Sequence, residues 1–122
     1  MKKTAFYLLV ALYIIAGINH FWHSRFYYPI IPPYLQQWGY QLNIIAGLTE
    51  ISLGLLLVFS VTRKWAAIGI IFMLLAFIPA HIYFIQINSC IPNGLCVLQW
   101  VGWARLIIVH PLLIAWAWWC RK

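Results

Sequence analysis

The chain has 122 residues, of which 66% are hydrophobic and 7% are charged. A water-soluble domain of this length has too little interior to hide that much apolar surface, so the composition excludes a soluble fold and indicates one domain in a lipid bilayer. The formal net charge is +7. The basic residues stand mostly as pairs at the ends of apolar runs, which is typical of membrane topology signals and argues against a nucleic-acid partner.

Four apolar runs predict an all-α fold, an integral membrane four-helix bundle within a single transmembrane domain, 1–122. We expect the helices over about residues 4–22, 41–60, 65–86 and 99–119, close to the roughly 20 residues that one crossing requires. The first run follows two lysines, as in a signal peptide. It has no small-x-small cleavage site before its polar end, so we expect it to remain as the first helix.

The loops and charges predict an orientation. Residues 23–40 are rich in proline, which opposes a continuous helix, and in aromatic side chains that favour the headgroup level. Four crossings put this loop and the loop at 87–98 on one side, and the two termini with the basic turn at 61–64 on the other. Most basic residues lie on the second side, which predicts an N-in/C-in protein of the inner (plasma) membrane.

Glu50 is the only acidic residue and lies in the middle of the second predicted helix. A bare carboxylate in hydrocarbon costs roughly 2.5–3.5 kcal/mol on insertion scales, so Glu50 must be protonated or paired. Small and polar residues share its helical face, which we expect to contact protein rather than lipid. These residues are Asn43, Ala46, Gly47 and Gly54.

Arg105 is predicted to be the partner of Glu50. At about 1.5 Å per residue, the two lie at similar depths, within the reach of an arginine side chain. Other polar residues fall in the same outer half of the membrane, whereas His110 is expected nearer the centre and facing elsewhere. The sequence therefore predicts an outward-opening, ligand-binding polar pocket formed by Glu50, Arg105, His81, His20, Asn19 and Asn43. The alternative is that the pair only fixes helix packing, although intramembrane ionisable groups favour a functional site.

Cofactor and enzyme signatures are sparse. His20 and His81 are the one conceivable pair of axial haem ligands, but no Cys-x-x-Cys-His motif accompanies them, so haem is not expected. No metal site is expected either, because His20 and His23 have no carboxylate or thiol near them in sequence. A single acidic residue excludes two-carboxylate chemistry, and enzymatic activity is left open.

Cys90 and Cys96 lie in the second outer loop, in the oxidising compartment. Their closeness favours a structural disulfide. A redox-active pair is the alternative, although the spacing is Cys-x5-Cys rather than Cys-x-x-Cys. Cys120 lies on the other side of the membrane, where we expect a free thiol.

Six stretches of this chain resemble, in the same order, the DoxX-like family of small four-helix bacterial membrane proteins. They are AGINHF at 16–21, PPYL at 32–35, AGLTEISLG at 46–54, TRKWAA at 62–67, PAHIY at 79–83 and WARL at 103–106. The family is named for a subunit of a thiosulfate:quinone oxidoreductase, so the resemblance implies a link to quinone-coupled redox. This sequence departs from the family pattern at His81, where an asparagine is expected. It also departs at Ile107 and Val109, where a proline and a glutamine are expected.

These observations lead to two expectations for function. The first is a DoxX-like protein that binds a quinone or another small redox ligand, with Glu50 taking up protons and Arg105 or His81 donating to a carbonyl oxygen. The second is a non-catalytic membrane subunit whose Glu50–Arg105 pair only fixes helix packing and whose outer loop docks a partner membrane protein or a second copy in a homo-oligomer. A lipid isomerase or transporter that uses the same carboxylate is a weaker third option.

Overall fold

A computed structural model of the chain describes residues 2–92 and 94–122. These residues are mostly helical and form no strand, and four helical segments are long and apolar enough to cross a membrane. At most 28% of the most apolar window of each segment is buried within the molecule. The remaining apolar surface therefore requires lipid or another protein to cover it.

The first two long segments are joined by short helical turns. Helix α1 is Lys2–Trp22, and α2 is a single turn at Ser24–Tyr27. Two 3₁₀ turns follow, each with a proline at its start, where the missing N–H group costs no hydrogen bond. The second turn leads directly into α3, Gly39–Val58, which begins and ends two residues earlier than the 41–60 predicted from the sequence.

The third segment is broken at Phe77. Helix α4 is Arg63–Ala76, and α5 is Ile78–Gln86. Pro79 has no N–H group to donate to the preceding turn, so the helix breaks just before it.

The fourth segment contains a π turn. Helix α6 is Gln99–Ala104, the π turn is Arg105–Val109, and α7 is His110–Trp119. The His110 N–H group donates to the carbonyl of Arg105, five residues earlier. Pro111 follows immediately, and such single π turns are frequent at functional sites.

The most extensive helix contact joins α1 and α3, which run antiparallel. Gly17 and Gly47 allow this close approach, because a Cβ atom on Gly17 would lie 2.7 Å from the carbonyl oxygen of Gly47. Small residues favour such backbone contacts between membrane helices. The main apolar core fills the half of the molecule nearest the termini, and its buried residues are Leu9, Val10, Tyr13, Leu57, Ala66, Ala67, Ile70, Met73, Leu74, Ala117 and Cys120.

Candidate functional site

Three of the predicted site residues meet at the contact between α1 and α3: His20, Asn43 and Glu50. His20 Nδ1 lies 2.8 Å from Asn43 Oδ1, and His20 Nε2 lies 3.2 Å from Glu50 Oε2. The exposed fractions of the three residues are 7%, 4% and 6%. They form a closed cluster in the interior, whereas the sequence had suggested a pocket open to the outside.

Asn43 fixes the protonation of the imidazole. Its amide nitrogen donates to the backbone carbonyl of His20 at 2.9 Å, and a carbonyl can only accept. The amide oxygen must therefore face His20 Nδ1 and accept from it, so Nδ1 carries a proton. In a neutral ring this leaves Nε2 without a hydrogen, facing an oxygen of Glu50.

A single proton makes the His20–Glu50 contact favourable. Without it, a bare ring nitrogen would face a carboxylate oxygen, and two acceptors repel each other. With it, the pair is either imidazolium and carboxylate or imidazole and carboxylic acid, and both arrangements have no net charge. The only acidic residue is thereby made compatible with its burial.

Two buried oxygen atoms beside this cluster have unused hydrogen-bonding capacity. The contact with His20 does not have hydrogen-bond geometry, so Glu50 Oε2 has no hydrogen-bond partner among the described residues, and neither does the Tyr13 hydroxyl. Tyr13 lies on the same face of α1 as Gly17 and His20, within electrostatic range of Glu50. Such groups are rarely left unpaired in an apolar interior, which favours a small polar ligand or water there.

Further polar side chains connect the cluster with the surface. The exposed His23 contacts Asn19 with 2.6 Å between Nδ1 and Oδ1, and the amide nitrogen of Asn19 donates to the Tyr27 hydroxyl at 2.7 Å. The Tyr27 ring in turn stacks on His20, with 3.8 Å between ring centroids. We call these residues, with the cluster, the polar chain: His23, Asn19, Tyr27, His20, Asn43 and Glu50.

Tyr27 is within electrostatic range of both predicted charges, Glu50 and Arg105. Burial raises the pKa of its hydroxyl above the ordinary value of 10.0, and the charge of Glu50 adds to this effect. The hydrogen bond from Asn19 and the charge of Arg105 act in the opposite direction. Both ionisable side chains therefore act on this one tyrosine.

The predicted Glu50–Arg105 ion pair is wrong, since the structure pairs Glu50 with His20. Among residues 2–92 and 94–122, the ion pair found is His20–Glu50, and the Arg105 guanidinium lies 5.2 Å from the centroid of the Phe84 ring. Depth alone suggested Arg105 as the partner, but His20 is directly across the α1–α3 contact. Arg105 is half-buried and has no carboxylate partner in the described part of the chain.

His81 and His110 lie together, although His110 was expected to face elsewhere. Their ring centroids are 4.8 Å apart, and His110 Nε2 hydrogen-bonds the backbone carbonyl of Leu74. That carbonyl belongs to the last turn of α4, just before the break at Phe77. His110 therefore donates to the end of α4, where the same carbonyl also accepts from the Phe77 N–H group. His81 lies near Arg105.

The loop at 87–98 is closed by a disulfide between Cys90 and Cys96. Ser89 donates to the Gln99 side-chain oxygen at 2.8 Å, and the amide nitrogen of Gln99 donates to the carbonyl of Ile85 at 3.0 Å. These bonds join the end of α5 to the start of α6 on the side that carries Arg105.

A family model for a domain of unknown function, DUF8561, matches residues 9–121. The chain belongs to the DUF8561 family. No curated protein and no solved structure is detectably similar to it. The match neither supports nor contradicts the resemblance to the DoxX-like family, which remains a prediction.

In this DUF8561 protein, the site thus has two parts, and the charged group of each acts on Tyr27. One is the neutral, proton-holding pair His20–Glu50, and the other is the unpaired guanidinium of Arg105 with His81. Sequence reasoning missed Tyr13 and Tyr27. The spacing of Tyr13, Gly17 and His20 matches that of Asn43, Gly47 and Glu50, and this was the available signal for Tyr13.

Proposed function

We propose that this protein is a multi-pass inner-membrane protein that binds a small redox ligand, with a quinone headgroup as the preferred example, next to a buried group that exchanges protons. The observation that carries the proposal is the His20–Glu50 contact at 3.2 Å. This pair holds one proton without net charge, and the polar chain links it to the exposed His23. The hydrogen bonds of this chain end at the Tyr27 hydroxyl, so water would have to carry a replacement proton past the Tyr27–His20 stack.

Arg105 and His81 would orient the ligand. A guanidinium donates readily to carbonyl oxygens, and no carboxylate of the described residues competes for this one. Each oxygen of a quinone takes up a proton when the ring is reduced, with electrons supplied by a partner redox protein. Glu50 and His20 would deliver one of these two protons to the oxygen that Arg105 holds, and water would supply the second.

The proposed orientation has both termini in the cytoplasm of a bacterial cell. Its support is the clustering of cations, since Lys2, Arg63 and Lys122 line one cavity at the end where the termini lie. The positive-inside rule assigns that end to the cytoplasm. The polar chain then opens to the periplasmic side.

Quinone titration of purified protein tests this function. A short-chain ubiquinone should quench tryptophan fluorescence saturably, and Arg105→Gln should weaken its binding about tenfold or more, because a hydrogen bond to a charged group is lost. Arg25→Gln is the matched control, since Arg25 is exposed in the outer loop. Equal binding by both variants, or no saturable quenching in the wild type, would reject the proposal.

A packing role is the second candidate, and the closed geometry of the cluster favours it. Here a non-catalytic subunit uses His20, Asn43 and Glu50 only to hold α1 against α3. Glu50→Gln would then lower thermal stability in detergent, and wild-type protein would bind no quinone. Under the first proposal, Glu50→Gln keeps quinone binding dependent on Arg105 but removes the proton uptake that accompanies reduction.

A further inference from the structure

A basic cavity lies at the opposite end of the molecule from the polar chain. It has a volume of about 480 Å³ and lies between the start of α1, the start of α4 and the residues that follow α7. We call it the basic cavity, and its lining residues are Lys2, Lys3, Phe6, Tyr7, Arg63, Cys120 and Lys122.

No side-chain carboxylate of this protein can neutralise these cations. Glu50 is the only one in the sequence, and it lies at the α1–α3 contact with His20. Lys2, Lys3 and Lys122 are exposed. No other side chain of the protein therefore serves as their counter-ion.

The guanidinium of Arg63 is held in place at one side of the basic cavity. Its Nε and Nη2 atoms donate to the carbonyls of Leu57 and Val58 at 3.0 and 3.1 Å. The guanidinium also lies 4.5 Å from the centroid of the Phe6 ring. It caps the end of α3 and holds one cation in place, while the three lysines around it can adapt to an anion.

The surroundings of the cavity match a lipid better than a soluble anion. A second cavity of about 410 Å³ lies between α1 and α7 at the same end, and it is lined by Ala5 and by apolar and tryptophan side chains of α7. Trp116 donates to the carbonyl of Ala5 at 3.0 Å, which joins the two helices there. A cationic cavity next to an apolar groove, at the level where membrane helices end, suits a headgroup with its acyl chain.

We propose that the basic cavity binds the phosphate group of an anionic phospholipid. The inference is independent of the proposed quinone function, because it uses the other end of the molecule and none of the same residues. Native mass spectrometry of detergent-purified protein with dioleoyl phosphatidylglycerol measures the binding directly, and dioleoyl phosphatidylcholine provides the comparison without net negative charge.

Two double variants distinguish binding in the basic cavity from a general effect of the protein's positive charge. Lys3→Gln with Lys122→Gln should weaken phosphatidylglycerol binding about tenfold or more. Arg25→Gln with Lys64→Gln removes the same charge from exposed residues outside the cavity, and it should leave binding unchanged. Equal loss in both double variants, or loss in neither, would overturn the proposal.

A competition experiment shows whether the basic cavity binds a lipid or a free anion. Inorganic phosphate alone, added in large excess over the lipid, should leave phosphatidylglycerol bound. Displacement by inorganic phosphate, or equal binding of phosphatidylcholine, would show that the cavity does not select an anionic lipid. Because all four substituted residues are exposed, we expect both double variants to keep the wild-type melting temperature.

Discussion

His20 Nε2 lies 3.2 Å from Glu50 Oε2, while Asn43 holds the other nitrogen of the same ring at 2.8 Å. This arrangement lets a base on α1 balance the one acidic side chain of the sequence when the pair carries a single proton. It also leaves Arg105 without a carboxylate partner among the described residues, which makes this guanidinium available to a ligand.

Removing the amide of Asn43 should destabilise the protein. Asn43→Leu deletes the acceptor for His20 Nδ1 and the donor to the His20 carbonyl, so we expect a loss of about 1–2 kcal/mol in the free energy of unfolding. Gln41→Leu makes a similar amide-to-leucine change at an exposed position of the same helix. Unfolding measurements in detergent should show little change for Gln41→Leu, and an equal loss in both would contradict the role assigned to Asn43.

The close approach of α1 and α3 should tolerate no added methyl group at Gly17. A Cβ atom added at Gly17 would lie 2.5 Å from Ile51 Cγ1 and 2.9 Å from the Ile51 backbone nitrogen. Gly17→Ala should therefore lower the free energy of unfolding by about 1–3 kcal/mol. At Gly39 the nearest atom, Ile31 Cδ1, would be 3.5 Å away, so Gly39→Ala should change stability by less than about 0.5 kcal/mol. Comparable melting temperatures for the two variants would argue against the packing described.

The disulfide between Cys90 and Cys96 should stabilise the loop at 87–98. Replacing both cysteines by serine should lower the free energy of unfolding by roughly 2–3 kcal/mol, as expected for so short a closed loop. Maleimide labelling of denatured, unreduced protein provides the control, because only Cys120 should react. Labelling of all three thiols without reductant would show that the bond is absent in the purified protein.

Cys120 should make stability fall at alkaline pH. Burial raises the pKa of its thiol above the ordinary 9.0, against the opposing effects of Lys2, a hydrogen bond with Trp116, and Arg63. The native state then keeps a proton that the unfolded chain loses, so this contribution is complete below pH 9 and declines as pH rises through the native pKa. Above pH 9, the melting temperature of the wild type should therefore fall relative to that of Cys120→Ala. A difference between the two that does not depend on pH would exclude this effect.

Much of the helical architecture could be predicted from the sequence, because long apolar runs, prolines and a small-residue stripe each have a direct structural consequence. Of the predicted stripe, Asn43, Gly47, Glu50 and Gly54 are buried, whereas Ala46 is only partly buried. The partner of Glu50 could not be predicted in this way. Depth along a helix is visible in the sequence, but which faces meet depends on tertiary contacts, and α1 rather than the last segment lies against Glu50.

The position of His110 shows the same limit. On a regular helix it would face away from Arg105, but the π turn at Arg105–Val109 changes the rotation of everything that follows. The ring therefore reaches His81 and the Leu74 carbonyl. A proline in the sequence indicates that a helix is disturbed, but it does not indicate by how many degrees.

A pair of double-mutant cycles on the free energy of unfolding tests the central claim most directly. The first combines His20→Gln with Glu50→Gln, and the second combines Arg105→Gln with Glu50→Gln. We predict a coupling energy of about 0.6–1.7 kcal/mol for His20 with Glu50, in the range of interhelical polar contacts in membranes, and none for Arg105 with Glu50. Coupling of Glu50 to Arg105, with none to His20, would contradict the account.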